Sequence, residues 1–164
     1  MNHSQQDIQN MIKIYLEYHN ISHEVIEIDP IFADTAEFCE KYGYPINNSG
    51  NTIIVGSKRD PKVFVACLVL ASYKLDVNKT VRKLMGVSKV SFASAEDTKN
   101  LTGMMIGGVT IFGLPEQLPI YIDEKILQVD YLIVGSGSRS TKIKINPEEL
   151  MKIPNTNVVS NLSY

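Results

Sequence analysis

The residues best suited to chemistry gather between Leu101 and Asp123, in the run LTGMMIGGVTIFGLPEQLPIYID. Gly103, Gly107, Gly108 and Gly113 crowd this segment together with Pro115 and Pro119. It cannot be one long helix, because glycine costs about 1 kcal/mol and proline about 3 in a helix interior. Nor is it a polar solvent loop, since Met104, Met105, Ile106, Val109, Ile111, Phe112 and Leu114 interleave with the glycines. Apolar side chains among residues that let backbone approach closely point to a walled pocket. A buried turn with no ligand is the plain alternative.

Two further groupings bear on function. Gly135-Ser136-Gly137-Ser138-Arg139-Ser140 offers backbone N–H groups, three hydroxyls and a guanidinium, the parts of an anion nest. The same residues also suit a hairpin loop that needs positive φ. They do not match the phosphate loop, which ends in Gly-Lys-Ser/Thr before a helix. Lys79, Arg82 and Lys83 stand three and four apart, so a helix there carries three cations on one face. Such a face can grip phosphates without reading bases.

Nucleophiles are missing from the pattern. Cys39 and Cys67 have no motif around them, and His3, His19 and His23 all lie in the first 23 residues. These residues offer no closed ligand set for a metal, and no cofactor is expected. An enzyme made from this chain would position substrate and water with backbone donors instead.

The elements that must hold these groups follow from length and periodicity. A chain of 164 residues, 44% hydrophobic and 21% charged, fits one soluble domain with a real core. Its longest apolar run, residues 63–71, is about half of what a membrane span needs. The polar start MNHSQQDIQN has no signal core, and two cysteines without metal or redox spacing suggest a reducing cytoplasm. The net charge of −2 is uneven: residues 51–91 sum to +6 and the rest to −8. That split hints at a polyanion-facing surface, or simply a solvated one.

Apolar spacings of three and four predict a helix over 4–19, with Ser4 and Asp7 as a capping box. A strand is expected over 22–28, then a helix from the cap Asp34 to Lys41, stopped by Gly43. Strands over 52–57 and 63–71 flank the turn 58–61, the second apolar enough to be buried on both faces. Asp76 should cap a helix over 76–85 that Gly86 ends, before a strand at 89–92 and a helix capped by Ser94. Strands at 119–122, 131–134 and 141–145 follow, and 155–164 reads as a flexible tail. The fold class is α/β (α+β), one domain with a largely antiparallel, mixed sheet.

Taken together, NTIIVGSK, LDVNKTVRKLMG, the LTG…GGVTIFG…LPIYID segment and the VGSGSR turn resemble the YbaK and prolyl-tRNA-synthetase-associated domain family, from about Glu24 to Leu150. The resemblance implies a barrel-like sheet and hydrolysis of the ester joining a wrong amino acid to the 3′ end of tRNA. It implies that Gly107 and Gly108 present N–H groups to the aminoacyl carbonyl and that Asn51 orients the terminal adenosine. Thr52, Val109, Thr110, Ile111, Phe112, Gly113, Gly135, Ser136, Gly137 and Ser138 would form the substrate pocket. Lys79, Arg82, Lys83 and Arg139 would hold the acceptor-stem phosphates. The implied partner is the tRNA acceptor end, with an aminoacyl-tRNA synthetase as a further candidate and no membrane. Water would attack, assisted by the substrate's own 2′-OH.

Two residues depart from the family pattern: Ile111 stands where Pro is usual, and Asn51 where Lys is usual. Charge-assisted hydrogen bonds are worth roughly 1.5–3 kcal/mol against about 1 for neutral ones. Losing the charge predicts a loss of about one or two powers of ten unless Lys79 or Arg139 reaches in. The alternative reading is therefore a catalytically impaired tRNA- or nucleotide-binding module of the same fold.

Overall fold

The computed structural model describes residues 5–164, so the expected Ser4 cap lies outside the described residues. Helix α1 (Gln5–Tyr18) buries Ile8, Ile12 and Leu16 along one stripe, as the spacing requires. Strand β1 (Glu24–Glu27) leads to α2 (Thr35–Tyr42), which ends where Gly43 adopts the left-handed conformation at φ 75°. Asp34 precedes α2 but its side chain makes no cap bond; Arg139 holds it instead. Strands β2 (Gly50–Ser57) and β3 (Phe64–Leu70) form the central hairpin.

A π-helical turn, Val77–Val81, runs into α3 (Arg82–Met85). Here Asp76 was expected to cap, yet its carboxylate accepts from Thr80 Oγ1 while its carbonyl accepts from Val81 N. The wider turn moves the first free N–H groups away from the carboxylate. After β4 (Val90–Phe92), Ser94 caps α4 (Ala95–Thr102) by accepting from Asp97 N. Strands β5 (Ile120–Asp123), β6 (Leu132–Gly135), β7 (Thr141–Ile145) and β8 (Thr156–Val159) complete the chain.

The strands make two sheets. One is antiparallel, in the order β1-β7-β6; the other is mixed, in the order β4-β2-β3-β5-β8. In the second, β5 lies parallel to β3 because residues 71–119 cross over between them, and β8 lies parallel to β5. The α/β class with a mixed sheet holds, but the expected barrel-like closure does not. Both sheets are open, and among the described residues they meet at a single bridge between Ser49 and Ile133. The region expected as a flexible tail is also ordered by pairing: β8 matches β5 from Thr156 to Val159, Leu162 is buried, and Ser163 Oγ donates to Asp123.

Three apolar clusters follow from this layering. The largest joins Ile54, Leu68 and Ile122 on one sheet to Leu132, Ile143 and Ile145 on the other, closed by α1. A second, with Val65, Cys67 and Val81, lies on the far face of the five-stranded sheet. The third sets Phe38, Cys39 and Ala33 against Ile28 and Ile133, on the face of the three-stranded sheet that α2 covers. Among the described residues no helix is long and apolar enough to cross a membrane.

Candidate active site

The site begins with an edge that pairing leaves open. Ser49 O accepts from Ala71 N on the β3 side of β2, whereas Ile54 O accepts from Ala93 N on the opposite side. In an antiparallel ladder successive residues alternate in this way, so the even-numbered residues of β2 turn their backbone groups away from β3. Strand β4 covers that edge only at Val55–Ser57, and β6 reaches it only through the Ser49–Ile133 bridge. Between them, around Thr52, a cavity of about 400 Å³ opens. Its remaining walls are Asp34 and Thr35 at the start of α2, Ile106, Gly107 and Val109 of the glycine-rich segment, Gly135, and Lys142 of β7.

Five expected residues line this cavity: Asn51, Thr52, Gly107, Val109 and Gly135. Asn51 Oδ1 accepts from Thr35 Oγ1 at 2.7 Å, which leaves the amide nitrogen as its donor. Thr52 Oγ1 is buried and has no hydrogen-bond partner among the described residues. Gly107 has φ 91°, and a Cβ there would collide with the Arg139 guanidinium. Only glycine closes that corner without strain.

The other expected residues stand elsewhere. Gly108 donates its N–H to Met105 O at 2.9 Å, and its Cα packs on the backbone of Gly137 and Ser138. Ile111 and Phe112 are fully buried in the largest core cluster, with Thr110 buried beside them, since an apolar pair in a Gly-rich segment serves the core as readily as a ligand. Gly113 and Gly137 face Ile12 of α1. Lys79, Arg82 and Lys83 are exposed on the 77–85 helical segment, outside the cavity lining.

The Gly135–Ser140 turn is not an open nest. Gly137 N donates to Gly108 O, Ser138 N to Ser136 Oγ, Arg139 N to Gln5 Oε1, and Ser140 N to Ser138 Oγ. The four N–H groups from Gly137 to Ser140 are thus engaged within the fold. Arg139, expected to hold phosphate, donates instead to Asp34 Oδ1 at 3.2 Å, Ile106 O at 3.0 Å and Pro30 O at 3.2 Å. It straps three loops together at the rim of the cavity.

Of the lining residues outside the expected set, the one with its charge most deeply buried is Lys142. Lys142 is 6% exposed, and its Nζ lies 5.6 Å from the centre of the Phe38 ring. Among the described residues it makes no hydrogen bond or ion pair. Burial pulls its ammonium down to about 8, while Asp34 opposes that and Arg139 adds to it. Thr141-Lys142-Ile143-Lys144-Ile145 alternates like a half-exposed strand, so both lysines read as solvent-facing. The missed signal is that β7 is the middle strand of its sheet. Cys67, by contrast, lies fully buried in the second apolar cluster, and burial pushes its thiol up to about 12.

Residues 29–153 match the model of the aminoacyl-tRNA editing domain. The chain belongs to that family. A curated relative in Enterococcus faecalis, provisionally named a Cys-tRNA(Pro)/Cys-tRNA(Cys) deacylase, is 30% identical over 103 residues, or 63% of this chain. That match spans 60% of the relative's own length. An uncharacterised Bacillus subtilis protein, YwhH, is 24% identical over 139 residues, covering 85% of this chain and 86% of its own. Among solved structures, one described as a trans-editing enzyme for prolyl-tRNA synthetase superposes with a TM-score of 0.78 at 22% identity, over 93% of this chain and 95% of that one. A hypothetical protein superposes at 0.83 with 20% identity, over 94% and 99%. At such identities these two likenesses speak to the fold of the editing domain alone.

Proposed function

We propose that this editing domain hydrolyses the ester between a mis-attached amino acid and the 3′ end of tRNA. The supporting observation is one cavity lined at once by Asn51, Thr52 and Gly107. Its 400 Å³ falls at the lower end of ligand pockets, about 300–1,000 Å³, suited to an aminoacyl ester but not to folded nucleic acid. The Asn51 amide orients the terminal ribose, and Gly107 supplies a backbone donor to the aminoacyl carbonyl. Gly108 supports this turn by packing, since its N–H is engaged. Lys79, Arg82 and Lys83 offer the exposed cations for acceptor-stem phosphates. Water is the nucleophile, helped by the 2′-OH of the substrate.

The test is a screen of purified protein against mischarged tRNAs, small amino acids first. Release above buffer hydrolysis is expected with at least one of them, and none with any would end this reading. The neutrality of Asn51 favours a second reading, a tRNA- or nucleotide-binding module without turnover. It predicts salt-sensitive binding with no release of amino acid.

A further inference from the structure

A buried cation without a partner is expensive, because desolvation is not repaid by a hydrogen bond or counter-ion. Lys142 comes close to that position: it is 6% exposed, its Nζ lies 5.6 Å from the Phe38 ring centre, and among the described residues it makes no hydrogen bond or ion pair. The charged and titratable groups around it are few. Asp34 and Cys39 come from α2 and its approach, and Arg139 from the turn before β7. Asp34 is already held by Arg139, and Cys39 Sγ lies 3.3 Å from Ser49 Oγ. Asp34 therefore acts on the lysine across space without an ion pair, and Thr52, whose buried hydroxyl has no hydrogen-bond partner among the described residues, lines the same cavity. A cation without a hydrogen-bonded partner, lining a cavity of ligand size, describes a place prepared for an oxygen-rich guest.

Resting on the deacylase reading, we propose that Lys142 is a catalytic residue whose ammonium receives the negative charge developing on the ester carbonyl oxygen. Water adds to the carbonyl carbon, and the carbonyl electron pair moves to that oxygen beside Nζ. Collapse of the oxyanion expels the ribose 3′-oxygen. The attacking water's proton reaches the leaving oxygen through the neighbouring 2′-OH, so amino acid and tRNA with a free 3′-OH result. Lys142 keeps its proton throughout, acting by charge in a dry site. Its lowered proton affinity makes this action pH-dependent: the ammonium fraction falls as pH rises through about 8.

The experiment is single-turnover deacylation of whichever mischarged tRNA the wild type cleaves, with Lys142→Met, Lys142→Gln, and Asn51→Lys placed on Lys142→Met. Residue 51 lines the same cavity, so a lysine there returns a cation from another wall. Lys142→Met should lose about a hundredfold in rate, with tRNA KM within threefold and a melting temperature no lower than wild type. Lys142→Gln should behave alike, the double variant should recover at least tenfold, and the limb near pH 8 should vanish from both single variants. A wild-type rate in Lys142→Met, or a limb that survives it, overturns the role of Lys142 alone. A wild type that cleaves no mischarged tRNA overturns the deacylase reading and this role with it.

Discussion

The turn at 135–140 and the cavity beside β2 hold similar chemistry and use it in opposite ways. In the turn, four successive N–H groups, Gly137 to Ser140, are engaged within the fold, and the hydroxyls of Ser136 and Ser138 accept two of them. Of the residues lining the cavity, Thr52 and Lys142 have side-chain polar atoms with no hydrogen-bonding partner among the described residues. Buried polar groups are nearly always paired, so those left open mark where a guest is accommodated. Composition alone ranks the two regions the other way, because the turn displays more polar groups per residue. The difference between a clasp and a site lies in which donors remain free.

The sharpest way to break that contrast is at Gly137. A Cβ there would lie 2.7 Å from Ile8 Cγ2 and 3.1 Å from Ile12 Cγ1, at φ 90°. Gly137→Val should cost about 3 kcal/mol or more in urea unfolding, because strain and overpacking act together. The folded fraction should retain its turnover. A variant of wild-type stability that had lost turnover would make the turn a site after all.

The cavity side predicts a pH effect of the next size. Lys142 is held at about 8 when folded against 10.5 for an ordinary lysine. Below pH 8 both states are protonated and the burial penalty is fully present. Between 8 and 10.5 the unfolded chain binds more protons, so stability must rise with pH. The gain in unfolding free energy is on the order of 3 kcal/mol, read against Lys142→Met, which removes this contribution. Parallel curves for the two proteins across that window would mean the ammonium is not desolvated.

Much of the scaffold was legible because local and global signals agree. The three- and four-residue spacing of Ile8, Ile12 and Leu16 gives α1 its buried stripe, and the unbroken run in β3 is apolar because both faces are covered. Gly43 and Gly86 end their helices in the left-handed conformation that sequence alone implies. The illegible parts depend on contacts far apart in the chain. Strand β8 is four residues set between Asn155 and Ser160, and only β5 makes it a strand. Ile111 and Phe112 belong to the core through packing that no local pattern encodes. Asn51 and Gly107 were picked out as residues, but the open edge of β2 that sets them around one cavity needs the pairing of β4 and β6 to be seen. Lys142 is hidden by its own alternation, since a strand covered on its outer face by α2 looks the same as an exposed one.

Thr52 gives a smaller effect but separates stability from function cleanly. Its buried hydroxyl has no partner among the described residues, so Thr52→Val removes an unsatisfied group while nearly preserving shape. Stability should stay level or rise by about 1 kcal/mol, and turnover should fall about tenfold if the hydroxyl meets substrate. Thermal melts and single-turnover rates on the same preparations decide it. Unchanged turnover would leave the hydroxyl as an accident of packing.

The exposed cations give the smallest effect and test where the site ends. Lys79, Arg82 and Lys83 lie outside the cavity and project to solvent, so they can touch only the part of a tRNA that remains outside. Replacing all three by Ala should change stability by less than about 0.5 kcal/mol, as surface substitutions usually do. Contacts to phosphate raise affinity through counter-ion release, so the triple variant should raise tRNA KM several-fold at low salt and flatten its salt dependence. Turnover at saturating tRNA should not move, because none of the three reaches the ester. A fall in saturated turnover would place these cations in the chemistry and remove the boundary between the cavity, which would act on the ester, and the surface, which would hold the rest of the substrate.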